Sequence, residues 1–403
     1  MTERHILLAN VFFAPFSYGG ATIVAEQVAQ SLLRRGGYRI TATSLCCRHD
    51  IAPYAVIKSE QQGITNYIIN VPPGREYDLL YENPGVTREL TNLIEALKPD
   101  LVHAHCIQDM GTGILEAAAE AGVPSILSTH DFWWICDRQF MIRVDNTFCG
   151  QNPIRLETCR SCVEDFEKAK TRFDHLQSRG PLAEIITYPS EYARDLSASS
   201  GFAPDKGVVW ENGVRQPAPD FFARQAARRA ADPRLTFGFV GGPSHMKGWP
   251  LIRRAFAGLN RDDFKVQVVE GSLDGAWWAG HRFDDLPGEW GVHPRFSQEQ
   301  MDDYYAQIDV LLFMSQWKET FGLAVREALA RGIALIQTDS GGTTEHGTVP
   351  ADKLIPIGST AAPVQAQIED ALAEHPSPAA PQKVTNFDDQ AAALDAMISK
   401  VLT

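Results

Sequence analysis

At 403 residues, 44% of them apolar, the chain is long enough to bury two cores of ordinary domain size. A formal charge of −13, from 37 Lys+Arg against 50 Asp+Glu, excludes a general nucleic-acid binder, whose phosphate contacts need a basic face. No run of about 18 apolar residues occurs, which excludes a spanning helix of ordinary composition. The N-terminus enters an apolar strand without a cleavable leader pattern, so a cytoplasmic protein is expected, with contact at the inner face of a membrane left open. Seven cysteines, an odd number, fit reduced thiols or metal ligands better than a disulfide framework.

The first half reads as alternating strands and helices. His5 to Val11 is an apolar strand, and a loop with Pro15 and Gly19-Gly20 follows it. Thr22 to Arg35 has helical spacing, with Ile23, Val24, Val28, Leu32 and Leu33 on one face. Arg39 to Leu45 is the next strand. Strand, glycine loop, helix, strand opens a doubly wound sheet, whose ligands lie beyond the strand C-termini. Thr87 to Leu97 and Gly111 to Ala121 are helices. The strand before the second of them ends in His103 and His105, for which packing is the expected role. Ser125 to Thr129 is a strand with His130-Asp131 at its end.

Cys136, Cys149, Cys159 and Cys162 then form Cys-x12-Cys-x9-Cys-x2-Cys. The Cys-x2-Cys end has the spacing that wraps a tetrahedral ion, and the surrounding stretch lacks regular periodicity. Three readings stay open: a structural zinc whose binding helps fold the insertion, an iron–sulfur cluster, or four thiols without metal. Val163 to Ser178 is a charged helix expected to be solvated, with a role in meeting an acidic or lipid-linked acceptor as the alternative. Strands at Ile185 to Pro189 and Gly207 to Trp210 close the first domain, taken as 1–214 with the insertion at about 136–162.

Prolines at 217, 219 and 233 place a linker over 215–234. The strand–glycine loop–helix cycle then restarts at Leu235 to Val240 with Gly241-Gly242 and Lys247-Gly248, so a second Rossmann-like domain is expected over 235–385. Trp277 and Trp278 are candidates for stacking on a base or sugar, with core packing expected of at least one. Ser297 to Ile308 reads as a helix and Val310 to Met314 as a buried strand. Phe321-Gly322-Leu323 opens an apolar helix that Gly332 ends. The unpaired amides of its first turn suit an anion such as a diphosphate. Glu319 precedes that turn. Glu327 lies inside the helix, where a carboxylate needs partners: ligand hydroxyls, or a basic neighbour such as Arg326 or Arg331. Residues 376–381 form a proline-rich loop, and 386–403 hold an amphipathic helix.

Glu319-x7-Glu327 with Thr320-Phe321-Gly322 between them resembles the family 4 retaining glycosyltransferases of the GT-B fold. Lys247-Gly248, the Gly19-Gly20 loop, His130 followed by Asp-Phe-Trp, Asn212-Gly213-Val214 and Glu345 extend the resemblance over nearly the whole chain. A subset of that family is similar at residues 129–163, including the spaced cysteines. The resemblance implies an α/β GT-B fold, two Rossmann-like domains facing each other across a cleft, the last helix crossing back to the first. It implies transfer of a sugar from a nucleotide-sugar donor to a carbohydrate or lipid-linked acceptor, with retention and without a catalytic metal. His130, Glu319 and Lys247 are the implied catalytic set. Gly19, Gly20, Gly241, Gly242, Thr320, Phe321, Gly322 and Leu323 line the implied donor site, and Glu327 holds the ribose. Most members carry an arginine at the place of Gly242, so one phosphate-binding cation is replaced here by something else, His245 or an arginine elsewhere. The rival readings are a nucleotide-sugar epimerase on the same fold and a catalytically silent nucleotide-sugar or metal-binding protein. A nicotinamide dehydrogenase is disfavoured because neither glycine loop has the Gly-x-Gly-x-x-Gly pattern.

Overall fold

A computed structural model describes residues 3–376 and 378–403. Met1, Thr2 and Ser377, the last within the expected 376–381 loop, lie outside the described residues. The chain divides into two compact units. One comprises Met1–Met141, Gly150–Gly213 and Thr385–Thr403; the other comprises Ile142–Cys149 and Val214–Val384.

The first unit is built on an eight-stranded sheet. In chain order its elements are β1 (Arg4–Ala9), α1 (Gly20–Arg35), β2 (Tyr38–Cys46), β3 (Val56–Gln61), β4 (Ile64–Asn70), α2 (Pro84–Leu97), β5 (Leu101–Ala104), α3 (Gly113–Glu120), β6 (Ser125–Ser128), α4 (Phe166–Arg179), β7 (Ile185–Tyr188), α5 (Glu191–Ser199) and β8 (Gly207–Val209). The strand order is β3-β4-β2-β1-β5-β6-β7-β8, parallel except for the β3–β4 hairpin. Helix starts follow local chemistry: the Asn83 side chain accepts from the Val86 amide with Pro84 in the first turn, and Ser190 accepts from the Ala193 amide. The order reverses between β1 and β5. A reversal leaves a crevice at the strand C-termini, where the Gly19-Gly20 loop and the ends of β5 and β6 lie.

The second unit begins with α6 (Phe221–Ala231) and continues with β9 (Thr236–Phe239), α7 (Trp249–Ala257), β10 (Lys265–Val269), β11 (Glu289–His293), α8 (Met301–Tyr305), β12 (Val310–Phe313), α9 (Leu323–Ala330), β13 (Ala334–Gln337) and α10 (Ala361–Glu374). Its five-stranded parallel sheet runs β11-β10-β9-β12-β13 and reverses between β9 and β12. The loops leaving β9 and β12 carry Lys247 and Glu319. The core beneath them packs Phe237, Phe239, Trp249, Phe256, Val266, Val268, Leu312 and Ile336.

The final helix, α11 (Phe387–Val401), packs on α1 in the first unit. Its Gln390 accepts from Trp210 Nε1 through its backbone carbonyl (2.9 Å) and from the Gly213 amide through its side chain (2.6 Å). No helix among the described residues is long and apolar enough to cross a membrane.

Three expectations need correction. The stretch 215–234 is not an irregular linker, because α6 occupies its middle. Phe221 is fully buried, and Arg228 and Arg229 pair with the buried carboxylate of Asp309, so three side chains hold to the domain a segment that its flanking prolines made look detached. The charged helix α4 is not simply solvated. Arg172 is buried, donates to the Trp133 carbonyl at 2.6 Å and stacks over that indole. The β3–β4 hairpin, β11 and α10 have no counterpart among the expected elements. β11, for one, is an edge strand whose Glu289 and Val292 face solvent, so it lacks the apolar run of a central strand.

Candidate active site

In the second unit the ends of β12 and β13 are stitched together. The Glu319 amide donates to the Ser340 carbonyl (3.0 Å), and the Gly342 amide donates to the Glu319 carbonyl (2.9 Å). This holds the Glu319 side chain, 9% exposed as a residue, where Oε1 accepts from Lys247 Nζ at 2.7 Å and from Ser315 Oγ at 2.6 Å. Lys247 therefore rests against a carboxylate, and its ammonium lies 5.8 Å from the Trp317 ring centre. Its placement depends on Gly248, which takes φ of +77° and whose absent Cβ would sit 2.1 Å from the Met314 carbonyl. Only glycine permits both the left-handed turn and that approach of the β9 and β12 loops.

Helix α9 starts from Gly322, also left-handed, with no side chain capping its first turn. Its first amides thus keep their partial positive charge for an outside partner. The start is fixed from behind by Arg326, which stacks on Phe321 and donates to the Gly342 and Thr343 carbonyls at 3.0 and 2.9 Å. Arg326 is thus spent on backbone and does not hold Glu327. Arg331 does not bond to that carboxylate either: it donates to the Glu327 backbone carbonyl (3.0 Å) and to Asp302 Oδ1 (2.7 Å). The carboxylate partner is Tyr305 of α8, whose hydroxyl donates to Glu327 Oε2 at 2.7 Å. Glu327 Oε1 has no hydrogen bond among the described residues. Burial pushes the Glu327 carboxyl above the ordinary range, and the Tyr305 bond and the Arg331 charge offset that in part.

Gly241 and Gly242 lie under aromatic rings. A Cβ on Gly241 would meet Phe239 at 2.6 Å, and one on Gly242 would meet the Trp277 indole at 3.0 Å. Trp277 covers Gly271 as well, while Trp278 is a core residue whose Nε1 donates to the Val269 carbonyl. The place of the family's arginine is thus taken by a half-buried indole. Glu270 fixes that indole's loop by accepting from the Ser272, Trp277 and Trp278 amides. Burial alone would raise the Glu270 carboxyl, but the Ser272 hydroxyl and these amides outweigh it and hold it below the usual range.

In the first unit Gly19 adopts φ 83°, ψ 161° ahead of α1, a conformation open only to glycine, and both Gly19 and Gly20 are exposed. His130 does not stand alone. His105 Nδ1 lies 3.0 Å from His130 Nε2 with the two rings 17° from parallel, and His103 Nε2 lies 2.8 Å from Ser128 Oγ. Asp131 beside them accepts from Gln108, Gln139 and the Trp133 amide. Burial drives the His103 ring down to about 3 and the His130 ring to about 4, and lowers His105 far below the usual value. All three are therefore neutral in the fold, whereas the unfolded chain protonates them near about pH 6.5. Stability should be unaffected above that pH. It should fall as pH drops below it, by up to about 1.4 kcal/mol per pH unit for each ring. Urea midpoints measured across that range check this, and a flat profile down to about pH 4.5 contradicts it.

The four cysteines form no disulfide, and each is partly buried. A turn at residues 156–161 links Cys159 to Cys162, whose amide donates to the Cys159 carbonyl (2.8 Å). Among the described residues no three His, Cys, Asp or Glu side chains form a group able to hold a metal. Cys159 Sγ lies 3.7 Å from the Arg155 carbonyl oxygen and 3.7 Å from Gln151 Nε2, which donates to it.

Sequence reasoning missed Ser315, Tyr305 and His105 as partners of Glu319, Glu327 and His130. Ser315 sits one residue past a buried run and Tyr305 on a neighbouring helix, positions that spacing does not mark as functional.

Two comparisons with known families cover both units. The sequence pattern of Glycosyltransferase Family 4 matches residues 18–216, and that of Glycosyl transferases group 1 matches residues 222–374. With two such halves, each organised on its own Rossmann-like sheet, the chain belongs to the glycosyltransferases of the GT-B fold. A relative from Klebsiella pneumoniae, described as an uncharacterized 42.6 kDa protein in the cps region, is 22% identical over 360 residues, covering 85% of this chain and 87% of its own. HepE (Alr3699) of Anabaena, solved in complex with UDP, is 13% identical with a TM-score of 0.62, covering 99% of this chain and 97% of its own. Sucrose-phosphate synthase of Thermosynechococcus elongatus is 15% identical with a TM-score of 0.66, covering 98% and 97%. At such identities these structures establish the shared fold.

Proposed function

We propose that this glycosyltransferase is a retaining hexosyltransferase that uses a nucleoside-diphosphate sugar, of the UDP type held by several structural relatives. The acceptor is a hydroxyl of a carbohydrate or of a lipid-linked glycan, and no nucleic acid is involved. The observation that carries the reading is the Lys247–Glu319 pair beside the uncapped start of α9. Lys247 and the amides of Phe321 to Leu323 stabilise negative charge on the departing diphosphate, where that charge develops. Glu319, released from Lys247 as the ammonium turns to phosphate, accepts from sugar hydroxyls. Glu327 Oε1 takes a ribose hydroxyl while Tyr305 keeps Oε2 in place. In the transfer itself the bond from the anomeric carbon to the diphosphate oxygen breaks. The acceptor oxygen bonds to that carbon on the same face, and its proton passes to the leaving phosphate oxygen. No side-chain base is required, and no metal enters this chemistry. His130 serves the transferred sugar.

A thermal-shift screen of nucleotide sugars, followed by NMR of the product anomer, tests this reading. No stabilisation by any of them, or an inverted product, would count against it. Glu327→Ala should weaken donor binding by about tenfold to a hundredfold, because one charge-assisted hydrogen bond of about 1.5–3 kcal/mol is lost. Unchanged affinity by calorimetry would remove Glu327 from the donor site. Zinc at the four cysteines is supported by the Cys-x2-Cys spacing and the irregular stretch around it, and the cysteine-bearing family subset by the resemblance over residues 129–163. Metal analysis of the purified protein decides it: about one zinc per chain supports the site, none removes it, and a brown chromophore indicates iron and sulfur.

A further inference from the structure

Three aromatic rings stand in water on the loop that leaves β1. Phe12, Phe16 and Tyr18 are 37%, 47% and 45% exposed, and the Phe12 and Tyr18 rings meet edge to face with centres 5.8 Å apart. The loop beneath them is firmly built. Phe13 is buried as its anchor, and the Phe16 amide donates to the Phe13 carbonyl at 2.9 Å. The Asn66 side chain donates to the Ala14 carbonyl (3.0 Å) and the Asn10 side chain to the Phe12 carbonyl. Glu26 accepts from the Ala14 amide (2.8 Å) and from the Ser17 hydroxyl. Burial lifts the Glu26 carboxyl above its usual range even with those two bonds, so the fold desolvates an acid to shape this loop. A rigid backbone that keeps three rings out of the core marks a surface for an outside partner.

Position and charge say which partner. The Val11 amide donates to the Cys106 carbonyl (2.7 Å) and the Cys106 amide to Asn10 Oδ1 (3.0 Å), so the loop leaves β1 side by side with the chain leaving β5. It therefore starts at the reversal of strand order, where ligands of such sheets lie, beside His105 and its stacked neighbour His130. No residue from Asn10 to Ala25 is charged, and among the described residues the loop's one charged hydrogen-bond partner is the anion Glu26. An anionic group finds no cation on this stretch, and a membrane-surface loop would set lysine or arginine beside its aromatics. A neutral sugar suits it: the C–H face of a pyranose packs on the electron-rich face of an aromatic ring while its hydroxyls stay solvated. The Tyr18 hydroxyl, which makes no hydrogen bond among the described residues, is left for one of them.

We propose that Phe12, Phe16 and Tyr18 are the stacking platform for the acceptor, and that the acceptor presents a neutral pyranose there. The acceptor role rests on the transferase reading above; sugar binding by the rings does not.

The test is saturation-transfer NMR on the full chain with methyl glucoside, methyl galactoside and methyl mannoside, with glucuronate as the charged comparison. At least one neutral glycoside should take up saturation, chiefly at its C–H protons, and glucuronate should not. Phe16→Ala combined with Tyr18→Ala should melt like the wild type, since both rings are exposed. It should weaken that glycoside about tenfold, roughly threefold for each ring lost. Phe222→Ala, which removes a comparably exposed ring of α6, should leave the binding as it is. With a sugar acceptor that is turned over, the double variant should raise the acceptor KM by about tenfold and the donor KM by less than about twofold. Binding of none of the three glycosides, or binding that survives the double variant, overturns the proposal. So does a donor KM that rises as far as the acceptor KM, which would give the rings to the donor. Ring-dependent sedimentation with phosphatidylcholine vesicles overturns it too, and would give them to a lipid surface. If a glycoside binds through the rings while the wild type transfers sugar from no donor, the transferase reading fails and the sugar platform stands.

Discussion

Lys247→Ala should lower sugar transfer by about 10²–10³-fold, the usual loss when a preorganised group facing developing charge is removed. Pairing holds that ammonium on Glu319, in the loop that leads into the uncapped start of α9. The pair is half open on the lysine side, with 39% of that side chain exposed, so its own contribution to stability is at most about 1 kcal/mol. The variant should therefore fold and melt close to the wild type while losing turnover. Ground-state donor affinity should fall much less than turnover, because the charge that Lys247 meets grows as the diphosphate departs. Lys247→Arg keeps the charge and should recover part of the rate. Equal losses in donor affinity and turnover would assign Lys247 to uniform binding, and an unchanged rate would remove it from the site.

Arg331→Met has the opposite signature. Arg331 is 0% exposed, the largest of the fully buried side chains, and its guanidinium joins three segments. It donates to Asp302 of α8, to the Glu327 carbonyl of α9 and to the Arg215 carbonyl ahead of α6. Asp302 in turn accepts from the Ala218 amide at 2.8 Å. Removing the cation leaves the largely buried Asp302 carboxylate short of its charge partner, at a cost of about 3–5 kcal/mol. For a domain of this size that lowers the melting temperature by roughly 10 °C or more, read by calorimetry. Arg253→Ala, which breaks only the exposed pair with Asp285, should change stability by less than about 1 kcal/mol. A melting point for Arg331→Met as close to wild type as that of Arg253→Ala would show that the network is not holding α6 to the domain. The same cation is the charge neighbour of Glu327, so its loss should push that buried carboxyl further up and reduce donor binding as well.

Two relationships in the site explain the chain's departure from the resembling family at Gly242. The indole of Trp277 fills the room that a larger residue there would need, and the remaining cation, Lys247, is the one that a carboxylate holds ready. His245, one of the replacements considered, has no contact that ties it to the Lys247–Glu319 pair among the described residues.

The sequence by itself determined the class of fold and the two strand–glycine–helix cycles, because apolar periodicity and glycine at left-handed turns are local demands. Gly248 and Gly322 could be placed at loop ends because no other residue takes those backbone angles without strain. It also fixed which helix carries Glu327. Tertiary structure alone decided the partners: Tyr305 rather than Arg326 or Arg331 for Glu327, Ser315 and Lys247 for Glu319, His105 for His130. The helix inside the supposed linker and the buried Arg172 also emerged only there. A hydrogen bond between side chains 72 residues apart, as between Lys247 and Glu319, depends on strand order and on where two loops converge. Spacing along the chain records neither.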